Sequence, residues 1–153
     1  MDYPEESKMR LTARSEYGLL ALVEIASGDD SPRSVRDLSE RWELPAKFLE
    51  QLLAALKRAG ILHSVRGAHG GYVLARPASQ ISALEIVEAL EGPIAASMCD
   101  RESPGCAQSA HCAAGAVWSR VSDAVRGVLA SATLEDIAGN QQRLDAKAQK
   151  SEE

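Results

Sequence analysis

The sequence contains no long hydrophobic run and no leader in which a basic segment precedes an apolar one. A membrane-spanning helix needs about 20 consecutive apolar residues. A secretory leader combines a positively charged start with an apolar stretch. We therefore expect a cytoplasmic protein that has no membrane partner.

The residue sets typical of an enzyme are also missing. No combination of nucleophile, base and acid stands out, and no internal repeat is present. The glycine-rich stretch Arg66–Gly71 lies between two predicted strands, whereas a phosphate-binding loop precedes a helix N-terminus. We expect a protein that is not an enzyme, with a redox or cluster-carrier protein as the remote alternative.

Positive charge is scarce overall but concentrated in one segment. The net charge is -5, yet residues 33–76 hold eight basic and four acidic side chains between two acidic flanks. Phosphate contacts need a local excess of positive charge, not a high overall pI. This segment is the candidate nucleic-acid-binding part. The alternative is that its excess of positive charge has no such role, because segments of this length and net charge are common in proteins.

The same segment carries the clearest structural pattern. Pro45 precedes apolar residues at helical spacing, and Gly60 ends the predicted helix. Ile61–Val65 and Tyr72–Leu74 have the composition of two strands, joined by the turn Arg66–Gly71. A helix followed by a β-hairpin with a basic tip is the layout of a winged helix-turn-helix. Half of an ordinary α+β core is the alternative.

Capping residues predict further helices around this segment. Residues 113–132 resume helical spacing with an apolar stripe that little remaining chain can cover. A second copy of the protein is the predicted cover, and packing on its own domain is the alternative. The predicted caps are Thr12 before Glu16–Ala26, Ser34 with Asp37, and Ser82 with Glu85.

We therefore predict a mainly α fold with a small β-hairpin wing: a winged helix-turn-helix DNA-binding domain plus a long C-terminal dimerisation helix. The predicted parts are a disordered N-terminal extension (1–8), the winged helix-turn-helix domain (9–92), a cysteine-bearing cluster-binding loop (93–112), the dimerisation helix with a short helical turn (113–139), and a polar tail (140–153).

The three cysteines, Cys99, Cys106 and Cys112, lie in a stretch that has no helical or strand period. No CxxC pair is present, so a zinc ribbon fits poorly, and the odd number argues against a disulfide framework. Thiolates are the usual ligands of iron–sulfur clusters. Three thiols on one short segment could therefore hold a metal centre, with buried or free cysteines as the alternative.

Three segments, together with the downstream cysteines, resemble the IscR/NsrR (Rrf-two) family of bacterial winged-helix transcription regulators. They are MRLTARSEYGLLAL at Met9–Leu22, FLEQLLAALKRAGIL at Phe48–Leu62 and VRGAHGGYVLAR at Val65–Arg76. The resemblance covers about residues 9 to 115. It implies a homodimer on a pseudo-palindromic double-stranded DNA operator, and an iron–sulfur cluster bound in the loop near the dimer helix.

The resemblance also implies which residues contact DNA. Three lie on the second helix of the helix-turn-helix pair and would face the major groove, where Gln pairs with adenine and Glu accepts from cytosine N4. An arginine of the wing would enter or flank the minor groove. A solvated surface is the alternative for these residues. The set is Lys47, Glu50, Gln51, Arg66, Gly67 and His69.

Three cysteines leave one cluster ligand to be found. Some relatives have a histidine three residues after the last cysteine, where this chain has Gly115. Other relatives use a carboxylate from the first helix of the partner subunit, and Glu16 matches that position. We take Glu16 as the fourth ligand and His111 as its rival, while a helix-terminal acid stabilised by the dipole is the alternative role of Glu16. A [2Fe-2S] cluster is favoured over [4Fe-4S].

The hypothesis is thus a sequence-specific regulator, a repressor, whose operator binding is controlled by an iron–sulfur cluster that senses iron, redox state, oxygen or nitric oxide. The first alternative keeps the DNA binding but senses through cysteine thiol oxidation or a partner protein.

Overall fold

The structure is a computed structural model that describes residues 11–94 and 112–152. These ranges contain six α-helices and one two-stranded sheet, which confirms the mainly α fold with a hairpin. None of these helices is long and apolar enough to span a membrane. The predicted extension at 1–8 and most of the predicted cysteine loop lie outside the described residues. The elements are α1 (Ala13–Ala26), α2 (Val35–Trp42), α3 (Ala46–Arg58), β1 (Leu62–Val65), β2 (Gly71–Leu74), α4 (Ala83–Glu91), α5 (Ala113–Ser131) and α6 (Leu134–Ser151).

Helix α1 lies at the centre of the fold. The predicted cap is confirmed, since the Thr12 side chain accepts the N–H of Arg14 at 3.2 Å, and the helix begins directly after it. Gly18 faces α4 so closely that an added Cβ would lie 2.3 Å from Leu90 Cδ1. The missing side chain therefore lets α1 and α4 pack tightly, and the buried Leu22 joins the central core.

Helices α2 and α3 form the helix-turn-helix pair. The predicted capping box is confirmed: Ser34 Oγ accepts the N–H of Asp37, and the Asp37 carboxylate accepts the N–H of Ser34, both at 3.1 Å. The turn passes through Glu43, whose φ of 52° is left-handed. On the inner face of α3 four leucines are fully buried, and each stabilises the core by about 1.5 to 3 kcal/mol. They are Leu49, Leu52, Leu53 and Leu56.

Strands β1 and β2 pair in antiparallel register, with Leu62 opposite Leu74 and Val65 opposite Gly71. This confirms the predicted hairpin, with the first residue of each strand displaced by one: β1 begins one residue later and β2 one residue earlier. The segment before α2 adds a third partner, because Arg33 and Tyr72 exchange two backbone hydrogen bonds of 3.0 and 2.8 Å. The hairpin is thereby attached to the start of the helix-turn-helix.

Helix α4 begins with the predicted capping box of Ser82 and Glu85 and ends before Gly92. Helix α5 then returns along α4. The Ala83 N–H donates to the Ala132 carbonyl oxygen at 2.8 Å, and Arg126 forms an ion pair with Glu88 at 2.8 Å. The C-terminal part of α5 is therefore fixed to α4.

Helix α6 differs from the prediction of a short helical turn and a polar tail. The helix runs without interruption to Ser151, so the predicted tail at 140–153 is wrong in its local structure. Three causes act together: a capping box of Thr133 and Asp136, a run of residues with high helix propensity, and burial of Leu134 and Ala138 in the central core. The helix packs against α1 and thus belongs with the DNA-binding domain.

Candidate DNA-binding surface and cysteine site

The outer face of α3 presents the three residues predicted to read bases. Lys47, Glu50 and Gln51 are all exposed, and their spacing of three and four residues places them on one side of the helix. In the described residues, no hydrogen bond or ion pair engages their side chains. This face, near the N-terminal end of α3, is free to enter a groove of DNA.

The tip of the hairpin presents the predicted wing residues. Arg66, Gly67 and His69 are exposed. The turn is tight, because Gly67 has a φ of 117° and a Cβ added at Gly70 would lie 2.2 Å from the Val65 carbonyl oxygen. Arg66 thus lies exposed at the start of a short, tight turn.

Some cations of the basic segment form ion pairs within the domain, and others do not. Arg36 pairs with Glu40 at 2.9 Å, and Arg76 pairs with Glu85 at 2.8 Å. Arg41 reaches two carboxylates, in α1 and α6. Within the described residues, no acidic partner neutralises Lys47 or Arg66. Lys47 on the reading face and Arg66 on the wing are thus two of the cations that carry charge without an acidic partner in this part of the chain.

The predicted cluster ligands are only partly described. Cys99, Cys106 and His111 lie outside the described residues. Cys112 is the N-cap residue of α5, half-buried, and makes no side-chain capping hydrogen bond. The described residues contain no group of three or more potential metal ligands, as expected when two of the three thiols belong to the undescribed segment.

Two features of the described donors, Cys112 and Glu16, bear on whether they fit an iron–sulfur centre. Cys112 precedes a 19-residue helix, so an anionic thiolate–iron centre there would face the positive end of the helix dipole. Glu16 is exposed in the first turn of α1, and no side chain in the described ranges pairs with its carboxylate. Gly115, by contrast, is buried in α5 and offers no donor.

One polar cluster was missed by the sequence reasoning. The carboxylate of Glu91, at the end of α4, accepts hydrogen bonds from Thr12 and Ser15 at the start of α1. Burial by itself raises the pKa of the Glu91 carboxyl, but these hydrogen bonds outweigh it and hold the pKa below its ordinary value of 4.5. The partners are 76 and 79 residues apart in sequence, so no local pattern could have indicated the contact.

A helix-turn-helix followed by a hairpin wing, with free polar side chains on the reading helix, defines a winged-helix DNA-binding protein. The comparisons with known proteins agree. Residues 11–140 match the model of the Rrf2 family, described as an iron-dependent transcriptional regulator. The chain belongs to the Rrf2 family of transcription regulators.

Two relatives illustrate the similarity in sequence. The chain is 36% identical over 138 residues to the HTH-type transcriptional regulator IscR of Photorhabdus laumondii, covering 90% of this chain and 84% of the relative. It is 39% identical over 130 residues to the protein rrf2 of Nitratidesulfovibrio vulgaris, covering 84% and 87%. The alignments span most of each protein.

Two solved structures show the same fold. CymR, the global cysteine regulator of B. subtilis, has a TM-score of 0.71 and 34% identity, over 86% of this chain and 97% of CymR. IscR of T. potens has a TM-score of 0.70 and 32% identity, over 86% of this chain and 88% of that IscR. The structural relatives therefore include both regulators named IscR and regulators named CymR.

Proposed function

We propose that this chain is a homodimeric, cytoplasmic repressor that reads a pseudo-palindromic operator and whose DNA binding is controlled by an iron–sulfur cluster. The observation that carries the DNA-reading part is the exposed, unpaired polar face of α3 beside an exposed basic wing. The cluster part is supported by the three cysteines before α5 and by the description of the family as iron-dependent.

The reading residues have distinct roles in this proposal. Gln51 pairs with adenine and Glu50 accepts from cytosine N4, because these contacts match the edges that bases expose in the major groove. Lys47 supports them as a cation on the same helix face. Arg66 enters or flanks the minor groove, where arginine is favoured. Gly67 and His69 bring the wing close to the DNA backbone.

Dimerisation is supported by the exposed apolar stripe of α5. Val117, Trp118 and Val121 are 54%, 42% and 38% exposed, and Val128 is 69% exposed. Contiguous exposed apolar surface on a soluble protein usually marks an interaction site. A second copy that covers the stripe gives two α3 helices related by two-fold symmetry, which is how helix-turn-helix dimers reach successive major-groove half-sites.

The cluster would be held by Cys99, Cys106 and Cys112, with Glu16 of the partner subunit as fourth ligand and His111 as its rival. When bound, a [2Fe-2S] cluster (favoured over [4Fe-4S]) supplies a centre that iron loss, oxygen, nitric oxide or a change in redox state can alter. Glu16 contributes an oxygen donor, which binds iron more weakly than a thiolate and exchanges more readily. That property suits a sensor.

The DNA part is tested by selecting a duplex from a random pool with wild-type protein and measuring affinity by fluorescence anisotropy. We expect Gln51→Ala to weaken binding to the selected duplex by about tenfold to a hundredfold, with little effect on an unrelated duplex. Arg58→Ala is the matched control, since Arg58 is exposed at the opposite end of α3. Equal losses for both variants on both duplexes would contradict base reading by α3.

The cluster part is tested on protein purified without oxygen. We expect visible charge-transfer absorption with stoichiometric iron and sulfide, and loss of both in Cys106→Ala. If Cys106→Ala and Glu16→Ala both leave operator affinity and its dependence on the cluster unchanged, cluster control is refuted.

The second candidate is a cluster-free regulator that senses through its thiols or a partner protein. The structural similarity to a global cysteine regulator favours it. Colourless protein that cannot be reconstituted with iron and sulfide, but whose DNA binding changes on thiol oxidation, would establish this alternative.

A further inference from the structure

The end of α4 is bound to the beginning of α1 through one carboxylate. Glu91 Oε1 accepts from the Thr12 backbone N–H at 2.9 Å, from Thr12 Oγ1 at 2.5 Å and from Ser15 Oγ at 2.8 Å. Hydrogen bonds to a charged acceptor are about twice as strong as neutral ones. Three of them on one oxygen fix the first turn of α1.

Neighbouring contacts restrain the same two helix ends. The Arg14 Nε–H donates to the Leu90 carbonyl oxygen at 3.2 Å, so this carbonyl at the end of α4 has a hydrogen-bond partner. One turn further, Gly18 packs directly beneath the Leu90 side chain. The first turn of α1 can therefore not rotate or fray without breaking bonds to α4.

This junction holds the helical turn that carries one proposed cluster ligand. Glu16 follows Ser15 directly, and successive helical side chains point about 100° apart. Ser15 thus faces Glu91 and is buried, while Glu16 faces outward and is exposed. On the other side, Cys99 follows Glu91 by eight residues along the chain. Glu91 therefore restrains the helical turn that presents Glu16.

We propose that Glu91 is a positioning residue for the iron–sulfur centre: by fixing the first turn of α1, it sets the position from which Glu16 is offered as a ligand. This inference rests on the proposed function, in which Glu16 ligates the cluster of the partner subunit.

The test compares Glu91→Ala with Glu16→Ala in protein purified without oxygen. The readouts are the visible circular dichroism of the cluster and the rate at which a chelator removes iron. We expect Glu91→Ala to change the spectrum in the same direction as Glu16→Ala and to lose iron about tenfold faster than wild type, as is typical when a residue that orients a ligand is removed. Glu91→Gln, which keeps an acceptor oxygen, should fall between.

Two controls separate positioning from general destabilisation. Glu85→Ala removes a carboxylate from the same helix, in its first turn and thus at the opposite end from Glu91, and should lower thermal stability while leaving the spectrum and the rate unchanged. The double variant Glu16→Ala/Glu91→Ala should lose iron no faster than Glu16→Ala alone, since Glu91 acts through Glu16. In the iron-free protein, hydrogen exchange should accelerate in the first turn of α1 for Glu91→Ala only.

The possible failures are distinguishable. If wild-type protein binds no iron and sulfide, the cluster function itself fails, and this inference fails with it. If Glu16→Ala alters the spectrum but Glu91→Ala does not, only the inference is overturned. If Glu16→Ala is silent, or if Glu85→Ala matches Glu91→Ala in both readouts, positioning by Glu91 is likewise overturned.

Discussion

Gly71 opens strand β2 at the point where the backbone of Arg33 comes closest to the hairpin. Its φ is 155°, and an added Cβ would lie 2.3 Å from the Arg33 carbonyl oxygen. Because that atom belongs to the backbone, it cannot turn aside as a side chain would. We expect Gly71→Ala to lower the free energy of unfolding by about 2 kcal/mol or more, measured by urea denaturation.

Gly139 provides the matched control for this substitution. It lies inside α6, and no atom comes within 4 Å of an added Cβ. Gly139→Ala should therefore raise the free energy of unfolding by about 0.5 to 1 kcal/mol, because alanine restricts the unfolded chain without strain in the helix. If both variants shifted stability in the same direction, the close approach at Gly71 would not be the cause.

Glu85 gives the stability of the fold a defined pH dependence. Its hydrogen bond with Arg76 holds the pKa of the Glu85 carboxyl below its ordinary value of 4.5. The unfolded chain therefore binds a proton at Glu85 more readily than the folded protein does. The stabilisation that the Glu85 carboxylate gives the folded state is complete above about pH 4.5 and is lost as the pH falls through the folded-state pKa. Glu85→Gln should destabilise by about 0.5 kcal/mol at pH 7, because the pair is partly exposed.

The measurement is urea denaturation of wild type and Glu85→Gln at pH 7 and at pH 3. The difference between them should become smaller at the lower pH, because protonation of Glu85 removes its charged hydrogen bond with Arg76. Made in an Arg76→Gln background, the same substitution should produce a difference with a weaker pH dependence, since only the hydrogen bond from the Ser82 N–H then lowers the pKa of Glu85. A difference in wild type that persists unchanged at pH 3 would show that the Arg76 pair is not responsible.

Among the elements, α2 is joined to two other helices through Arg41. Its guanidinium forms ion pairs with Glu24 of α1 at 3.5 Å and Asp145 of α6 at 3.4 Å, and it lies 4.5 Å from the centre of the Trp42 ring. Exposed contacts of these kinds are individually weak. We expect Arg41→Ala to lower the free energy of unfolding by about 1 kcal/mol, and less at high salt.

Arg36 on the same helix is the control for Arg41. Its one described partner is Glu40, in a pair where both side chains are mostly exposed. Arg36→Ala should change stability by less than about 0.5 kcal/mol. Thermal melts of the two variants at low and high salt measure the difference, and equal shifts would argue that Arg41 does not connect the helices.

How much of each element could be predicted depends on the range of the interactions that form it. The caps at Ser34 and Ser82 act over three residues, so local sequence sufficed to place α2 and α4. The outer face of α3 followed from helical spacing for the same reason. Helix α6 could not be predicted at full length, because Gly139 within it resembles a helix end and its support comes from α1.

Long-range contacts account for the features of the candidate site that were not predicted. The bridge between Arg33 and Tyr72 and the hydrogen bonds of Glu91 join residues far apart in the chain. Pairs of this kind leave no periodic pattern in a single sequence from which they could be predicted. The predicted reading and wing residues are exposed as expected, but their contacts with DNA stay predictions.

At the scale of the whole molecule, the proposed dimer interface is the exposed apolar stripe of α5. Val121→Lys should convert the dimer to a monomer, because a charge placed at the centre of an apolar interface loses its hydration without gaining a partner. Analytical ultracentrifugation measures the change in mass. The monomer should also bind a two-half-site operator much more weakly, since each half-site is then bound separately.

Ala130→Lys is the matched control for this substitution. Ala130 is exposed and lies nine residues from Val121, half a turn away around the helix. A cation in the last turn also suits the helix dipole, so this variant should stay dimeric and stable. A dimer that persists in Val121→Lys but dissociates in Ala130→Lys would place the interface on the other face of α5.

The fixed end of α5 has a mechanical consequence. Cys112 and Arg126 are fourteen residues apart, which corresponds to about 21 Å of helix. A rotation of roughly 5° about the Arg126 ion pair would therefore displace Cys112 by about 2 Å. Such a lever works in both directions. If chemistry at the cysteine end changes the affinity for the operator by tilting the DNA-binding domains, then operator binding must change the chemistry at the cysteine end by the same coupling free energy. DNA is then an effector of the sensor.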